Sequence, residues 1–175
     1  MSGRAVIRRG TEADAAAVAE LHLASLRSSY AAYLPAEALA DGQLLGRAEQ
    51  WRELWPLRLG IDYGAPGQQP VLLLAEAAGE LLGFAYLTPE GDGRVLLDNL
   101  HVRPGRTGRG LGARLLHAAR AEAGPGALHL DVLAANVRAV AFYEREGGVR
   151  TAERSTVLAD GSEAAECEYT WPSAR

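Results

Sequence analysis

Val102 to Leu116 reads VRPGRTGRGLGARLL, with glycines at 105, 108, 110 and 112 and arginines at 103, 106, 109 and 114. No Asp or Glu falls between Asp98 and Glu122. Glycines between a strand and a helix let backbone N–H groups converge on one point. The helix N-terminus adds further free N–H groups and the positive end of its dipole. Arginines clustered without acidic sequence neighbours repel one another unless an anion sits among them. Phosphate binding is the chemistry of this stretch, at more than one phosphate.

Two phosphate-binding patterns can be compared with it. A Walker loop fails, because no Lys-Ser or Lys-Thr follows the glycines and the chain has no lysine. The dinucleotide fingerprint is closer: Gly108, Gly110 and Ala113 fit G-x-G-x-x-A, and Asp131 follows at about 20 residues. Against it, RPGRT separates the glycines from their strand, and Asp131 stands inside LHLDVL and not at that strand's end. Downstream, Asn136 and Tyr143 are seven residues apart, about two turns of one helix, so they share a face.

These residues need elements to hold them. AVIRRG reads as a first strand, and Thr11 to Asp14 as a capping-box start for a helix carrying Ala19, Leu23, Leu26 and Tyr30 at helical spacing. LPAEALADG and RAEQWRELWPLRLG read as short helices separated and ended by Gly and Pro. A hairpin around Ala78-Gly79 and the strand RVLLDNLHV lead into the glycine loop. A helix with Leu111, Leu115, Ala118 and Ala119 inward follows, then strand ALHLDVL, then a helix capped by Asn136. Two closing strands flank the turn Asp160-Gly161. Mixed hairpin and crossover connections imply an α/β (α+β) fold with a mixed, mostly antiparallel sheet flanked by helices. The 175 residues, without repeat or long linker, are read as one domain.

LHVRPGRTGRGLGARLL followed by LDVLAANVRAVAFYEREGG resembles the GNAT superfamily of acyl-CoA N-acyltransferases. Its pyrophosphate loop, Q/R-x-x-G-x-G/A, is filled here by Thr107 to Gly112, with Thr107 in place of the usual Gln or Arg. The element order agrees over about residues 4 to 172. The resemblance implies acetyl-CoA as cosubstrate, its pantetheine along Leu100-His101-Val102 and its pyrophosphate on the amides of Gly108, Arg109, Gly110, Leu111, Gly112 and Ala113. The acetyl carbonyl is expected to accept a backbone N–H near Leu100 or Val102. Tyr143 is the expected general acid, and Asn136 an expected cofactor contact. Asp131 occupies the position of the glutamate base in the branch that acetylates protein N-termini, with Asp98, His101 or a water as alternatives. An amine of pKa near 10 must shed a proton before it can attack.

The implied activity is acetyl transfer to a primary amine in a ternary complex, the acceptor being a small molecule or peptide. A dinucleotide enzyme and a non-catalytic acyl-CoA sensor are the alternatives. The acceptor side is expected around residues 30 to 69 and 155 to 165. Tyr30, Tyr33, Trp51, Trp55, Tyr63, Glu49 and Glu53 could hold a cation there, or the aromatics could be the inner face of two helices. Net charge −4 and pI 5.6 argue against nucleic acid or an anionic membrane as partner. The single Cys167 suits a reducing cytoplasm and is read as a buried small residue, not a nucleophile. No apolar run approaches the roughly 18 residues of a membrane span, and the first ten residues lack a signal-peptide core. No metal site is expected. The Ala- and Arg-rich composition points to a GC-rich bacterial genome, and homodimers are common in the resembled family.

Overall fold

The computed structural model describes residues 5–30, 48–61, 68–157 and 163–172. In chain order they form β1 (Val6–Arg9), a 3-10 turn (Glu12–Asp14), α1 (Ala15–Tyr30), α2 (Ala48–Leu59), β2 (Val71–Ala77), β3 (Glu80–Pro89) and β4 (Val95–Val102). There follow α3 (Leu111–Ala123), β5 (Leu128–Leu133), α4 (Val137–Arg145), β6 (Val149–Val157) and β7 (Glu163–Trp171). The order matches the sequence reading. LPAEALADG and the Asp160-Gly161 turn lie outside the described residues.

In α2 Pro56 lies within the helix, and the chain stays helical to Leu59, just before Gly60, as the reading of RAEQWRELWPLRLG expects. Proline removes one helical hydrogen bond and crowds the preceding turn. Trp55, fully buried against Phe84 and Tyr86 at ring separations of 5.2 Å, anchors that turn to the sheet. Packing outweighs the local penalty.

The seven strands among the described residues run in the order β1-β2-β3-β4-β5-β7-β6, antiparallel everywhere except between β4 and β5. Apolar side chains alternate along the strands and feed two cores, as a sheet covered on both faces requires. Leu97, Leu128, Leu130 and Tyr169 meet Leu111, Leu115 and Leu116 of α3 on one face. Leu72, Leu74, Phe84 and Tyr86 meet Val18 and Leu21 of α1 and Trp55 of α2 on the other. Cys167 is buried in the α3-side core as a free thiol, as its composition implied.

Two irregularities shape the centre of the sheet. The parallel pairing of β4 with β5 covers only Val95↔Leu128 and Leu96↔His129; beyond these the strands part and leave a wedge. On the other side of β4, Tyr86 pairs with Asn99 but Leu87 with Leu97, so Asp98 is the extra residue of a β-bulge. No helix among the described residues is long and apolar enough to cross a membrane.

Candidate active site

The glycine loop closes on the N-terminus of α3. Gly108 and Gly110 hold φ of 77° and 75°, left-handed values that cost a side-chain-bearing residue about 1 kcal/mol or more. A Cβ at either would meet nothing within 4 Å among the described residues, so backbone conformation is what demands glycine there. Gly110 caps α3 without any side-chain acceptor, and no acidic residue stands in the first turn. Arg114 N–H donates the first bond back, to Gly110 O at 3.0 Å. The amides of Leu111, Gly112 and Ala113 therefore emerge unpaired among the described residues, an anion-binding arrangement.

The arginines are not as free as the sequence implied. Arg103 and Arg106 both reach Glu80, at 3.3 and 3.1 Å, and Arg103 also donates to Leu81 O. Arg114 donates to Ala5 O at 2.7 Å. Their acidic partner comes from the distant start of β3, which separation in sequence concealed. Arg109 alone of the four makes no hydrogen bond or ion pair among the described residues, and it is exposed.

From this loop β4 runs back along the wedge. Arg103 N–H donates to Leu82 O, so by strand alternation the amides of His101 and Asn99 face β3 while those of Leu100 and Val102 face the open gap. An extended amide chain laid in the gap would find backbone donors and acceptors that are unpaired among the described residues. Tyr143 stands on the α3 side, half-buried near Tyr169 and Trp171, at ring separations of 6.3 and 5.9 Å. Burial pushes its hydroxyl up to about 12, so it stays protonated and able to donate. Asn136 is exposed, and its Oδ1 accepts from Ala139 N–H at 3.2 Å as an ordinary N-cap.

The opposite face carries the candidate proton acceptors. Asp131 projects there from β5, where the guanidinium of Arg154 holds it. Asp98 is likewise held by Arg58, whose guanidinium lies over Trp55 and Tyr86 at 4.6 and 4.5 Å. His101 turns toward α1, its Nδ1 2.9 Å from Ser25 Oγ and its ring 4.6 Å from that of His22. Burial pushes His101 down to about 4, which leaves it neutral and a weak base. Trp55 belongs to the core and Trp51 packs on His22 at 4.4 Å, while Glu49 and Glu53 are exposed. Tyr33 and Tyr63 lie outside the described residues.

Two residues escaped the sequence reading. Asn99, beside the bulge, has a buried Oδ1 without a hydrogen-bond partner among the described residues. His129, 3% exposed, lies with Nε2 2.7 Å from Glu90 Oε2 and Nδ1 3.8 Å from Glu168 Oε2. The signal for His129 was present, since in LHLDVL it shares a strand face with Asp131.

A sequence profile described as Acetyltransferase (GNAT) family matches residues 23–148. A mycothiol acetyltransferase of Thermobispora bispora is 41% identical over 87 residues, 48% of this chain and 28% of that protein, so the match spans less than a third of the relative. Among solved structures, a PaiA N-acetyltransferase from Thermoplasma acidophilum in complex with coenzyme A superposes with TM-score 0.68 at 21% identity, covering 97% of this chain and 100% of that one. YncA from Salmonella typhimurium, with its cofactor acetyl-CoA, gives TM-score 0.69 at 18% identity over 99% and 96%. At those identities the likeness is one of fold.

Proposed function

The chain belongs to the acetyltransferase (GNAT) family, and on that premise we propose that it transfers an acetyl group from acetyl-CoA to a primary amine within a ternary complex. The observation that carries this is the uncapped start of α3, with left-handed Gly108 and Gly110, at the mouth of the wedge between β4 and β5. The donors fit the cosubstrate: Gly108 to Ala113 would hold its diphosphate, Arg109 a phosphate oxygen, and Leu100 and Val102 its amide chain. Acetyl-CoA supplies an activated thioester carbonyl. A main-chain N–H of the gap would stabilise charge on that carbonyl oxygen. Tyr143 would protonate the departing sulfur. On the other face Asp131 and Arg154 would border the acceptor, with Asp131 a candidate to receive its proton. The small-molecule acetyltransferase relative supports an acceptor of that kind, and a peptide N-terminus is the competing one.

The test is calorimetry with coenzyme A and acetyl-CoA, followed by thiol release across polyamines, aminoglycosides, amino acids and peptide N-termini. Micromolar binding and amine-dependent thiol release are expected. No heat at millimolar ligand would overturn the reading. Binding without turnover on any amine would convert it to an acyl-CoA sensor.

A further inference from the structure

We propose that Asn99 binds the acceptor: its side-chain oxygen takes an N–H of the attacking amine and turns the nitrogen lone pair toward the thioester. The inference rests on the acetyl-transfer reading above and adds to it the group that orients the nucleophile. Two irregularities meet at this residue. Leu97 packs in the α3-side core, and by strict alternation Asn99, two residues on, would face α3 as well. The bulge at Asp98 breaks that alternation, and it is Leu100 that next packs on the α3 side. Asn99 is thereby re-aimed to the opposite face, across from Tyr86 of the α1-side core, with His101 following it across from Phe84. On that face Arg58 holds Asp98 and Ser25 holds His101. Asn99 Oδ1 is buried and has no partner among the described residues. A buried amide oxygen without a donor costs stability that an apolar side chain would not. The fold thus bends a strand to point a polar group where no protein group among the described residues meets it.

The position fits that task. β4 stops pairing with β5 at Leu96, so Asn99 stands on the strand that borders the wedge, beyond the last shared rung. The next residue, Leu100, turns its amide into the gap, and consecutive Cα atoms lie about 3.8 Å apart. Neighbouring residues of one strand would thus hold the two reactants, Leu100 the thioester carbonyl and Asn99 the amine. Asn99 faces away from α3, the side on which Asp131 and Arg154 would border the acceptor. The residue is half-buried, and no hydrogen bond among the described residues fixes its amide, so a turn about the last side-chain bond brings the oxygen to the open side. A neutral amide oxygen accepts a hydrogen bond without taking the proton, so Asn99 orients the amine and is not its base. An amine keeps an N–H for this bond after its lone pair is freed; a hydroxyl that has given up its proton keeps none. Asn99 therefore selects amines over alcohols. In the transfer the lone pair forms the C–N bond and the C–S bond breaks; sulfur keeps its electron pair and takes a proton from Tyr143. The ammonium nitrogen sheds two protons in all, one restoring Tyr143 and the other passing to water.

The test pairs kinetics with stability in the full chain. Asn99→Leu keeps the shape of the side chain and removes both polar atoms. With the amine that gives the fastest thiol release, kcat/KM for that amine should fall about 100-fold. Coenzyme A affinity by calorimetry should stay within a factor of two, and the pH profile should keep its limbs, since an amide does not titrate. The urea midpoint should hold or rise, because a buried oxygen without a donor is gone. A residue kept for the fold alone would show the reverse, lower stability with kcat/KM intact. Asn99→Ala, being smaller, carries the same expectations where leucine overpacks. An unchanged kcat/KM, or a lowered urea midpoint in both variants, overturns the proposal while leaving acetyl transfer intact. Absence of coenzyme A binding by the wild-type chain would instead strike the parent reading.

Discussion

At the scale of single residues, the candidate groups stand on opposite faces of the sheet: Tyr143 on the α3 side as a neutral phenol, and Asp131 on the other beside Arg154. A thioester lying in the gap would be reached by a donor from one face and an acceptor from the other. Tyr143→Phe removes only the hydroxyl, which makes no hydrogen bond among the described residues, so the fold should be indifferent. Thiol release should fall about 100-fold in kcat, with KM for acetyl-CoA within a factor of two. An unchanged kcat would assign the proton to another group.

At the scale of elements, the loop before α3 is built from backbone conformation. Gly110→Ala should cost about 1 kcal/mol through its positive φ and weaken coenzyme A about 10-fold or more as the Leu111–Ala113 amides turn aside. Gly79, in the β2–β3 turn, has the same open surroundings and a φ of 76°. Gly79→Ala should show the same denaturation cost with coenzyme A affinity intact, so urea melts and calorimetry on the pair separate strain from binding. This loop was legible in the sequence because its demands are local, and so were the Asn136 cap and the succession of strands and helices along the chain. What stayed hidden depends on partners remote in sequence. Glu80 beside Arg103 and Arg106, Arg154 on Asp131, and Glu90 on His129 are each set by strand neighbours, which no single segment encodes. The bulge at Asp98 was hidden too, since an extra residue in one strand is visible only against its partner.

At the scale of the whole molecule, the α1-side core encloses two imidazoles in contact. Burial drives His22 down to about 3 and His101 to about 4, and in His22 the neighbouring His101 adds to the effect. The unfolded chain protonates both near 6.5, so it binds more protons than the native state below that pH. Stability is therefore fully present above about pH 6.5 and falls as pH drops toward 4, by up to about 1.4 kcal/mol per unit for each ring. Urea midpoints should decline through that window, and His22→Leu should make the decline shallower; a flat profile would show that the rings are not kept neutral. The two-rung seam between β4 and β5 has a consequence of its own. Without ligand, the left half-sheet β1–β4 and the right half-sheet β5–β7 are laced together by a pair of residues on each strand. A pantetheine threaded into the opening would act as an eighth strand, so the donor of the acetyl group would also be the suture that finishes the sheet.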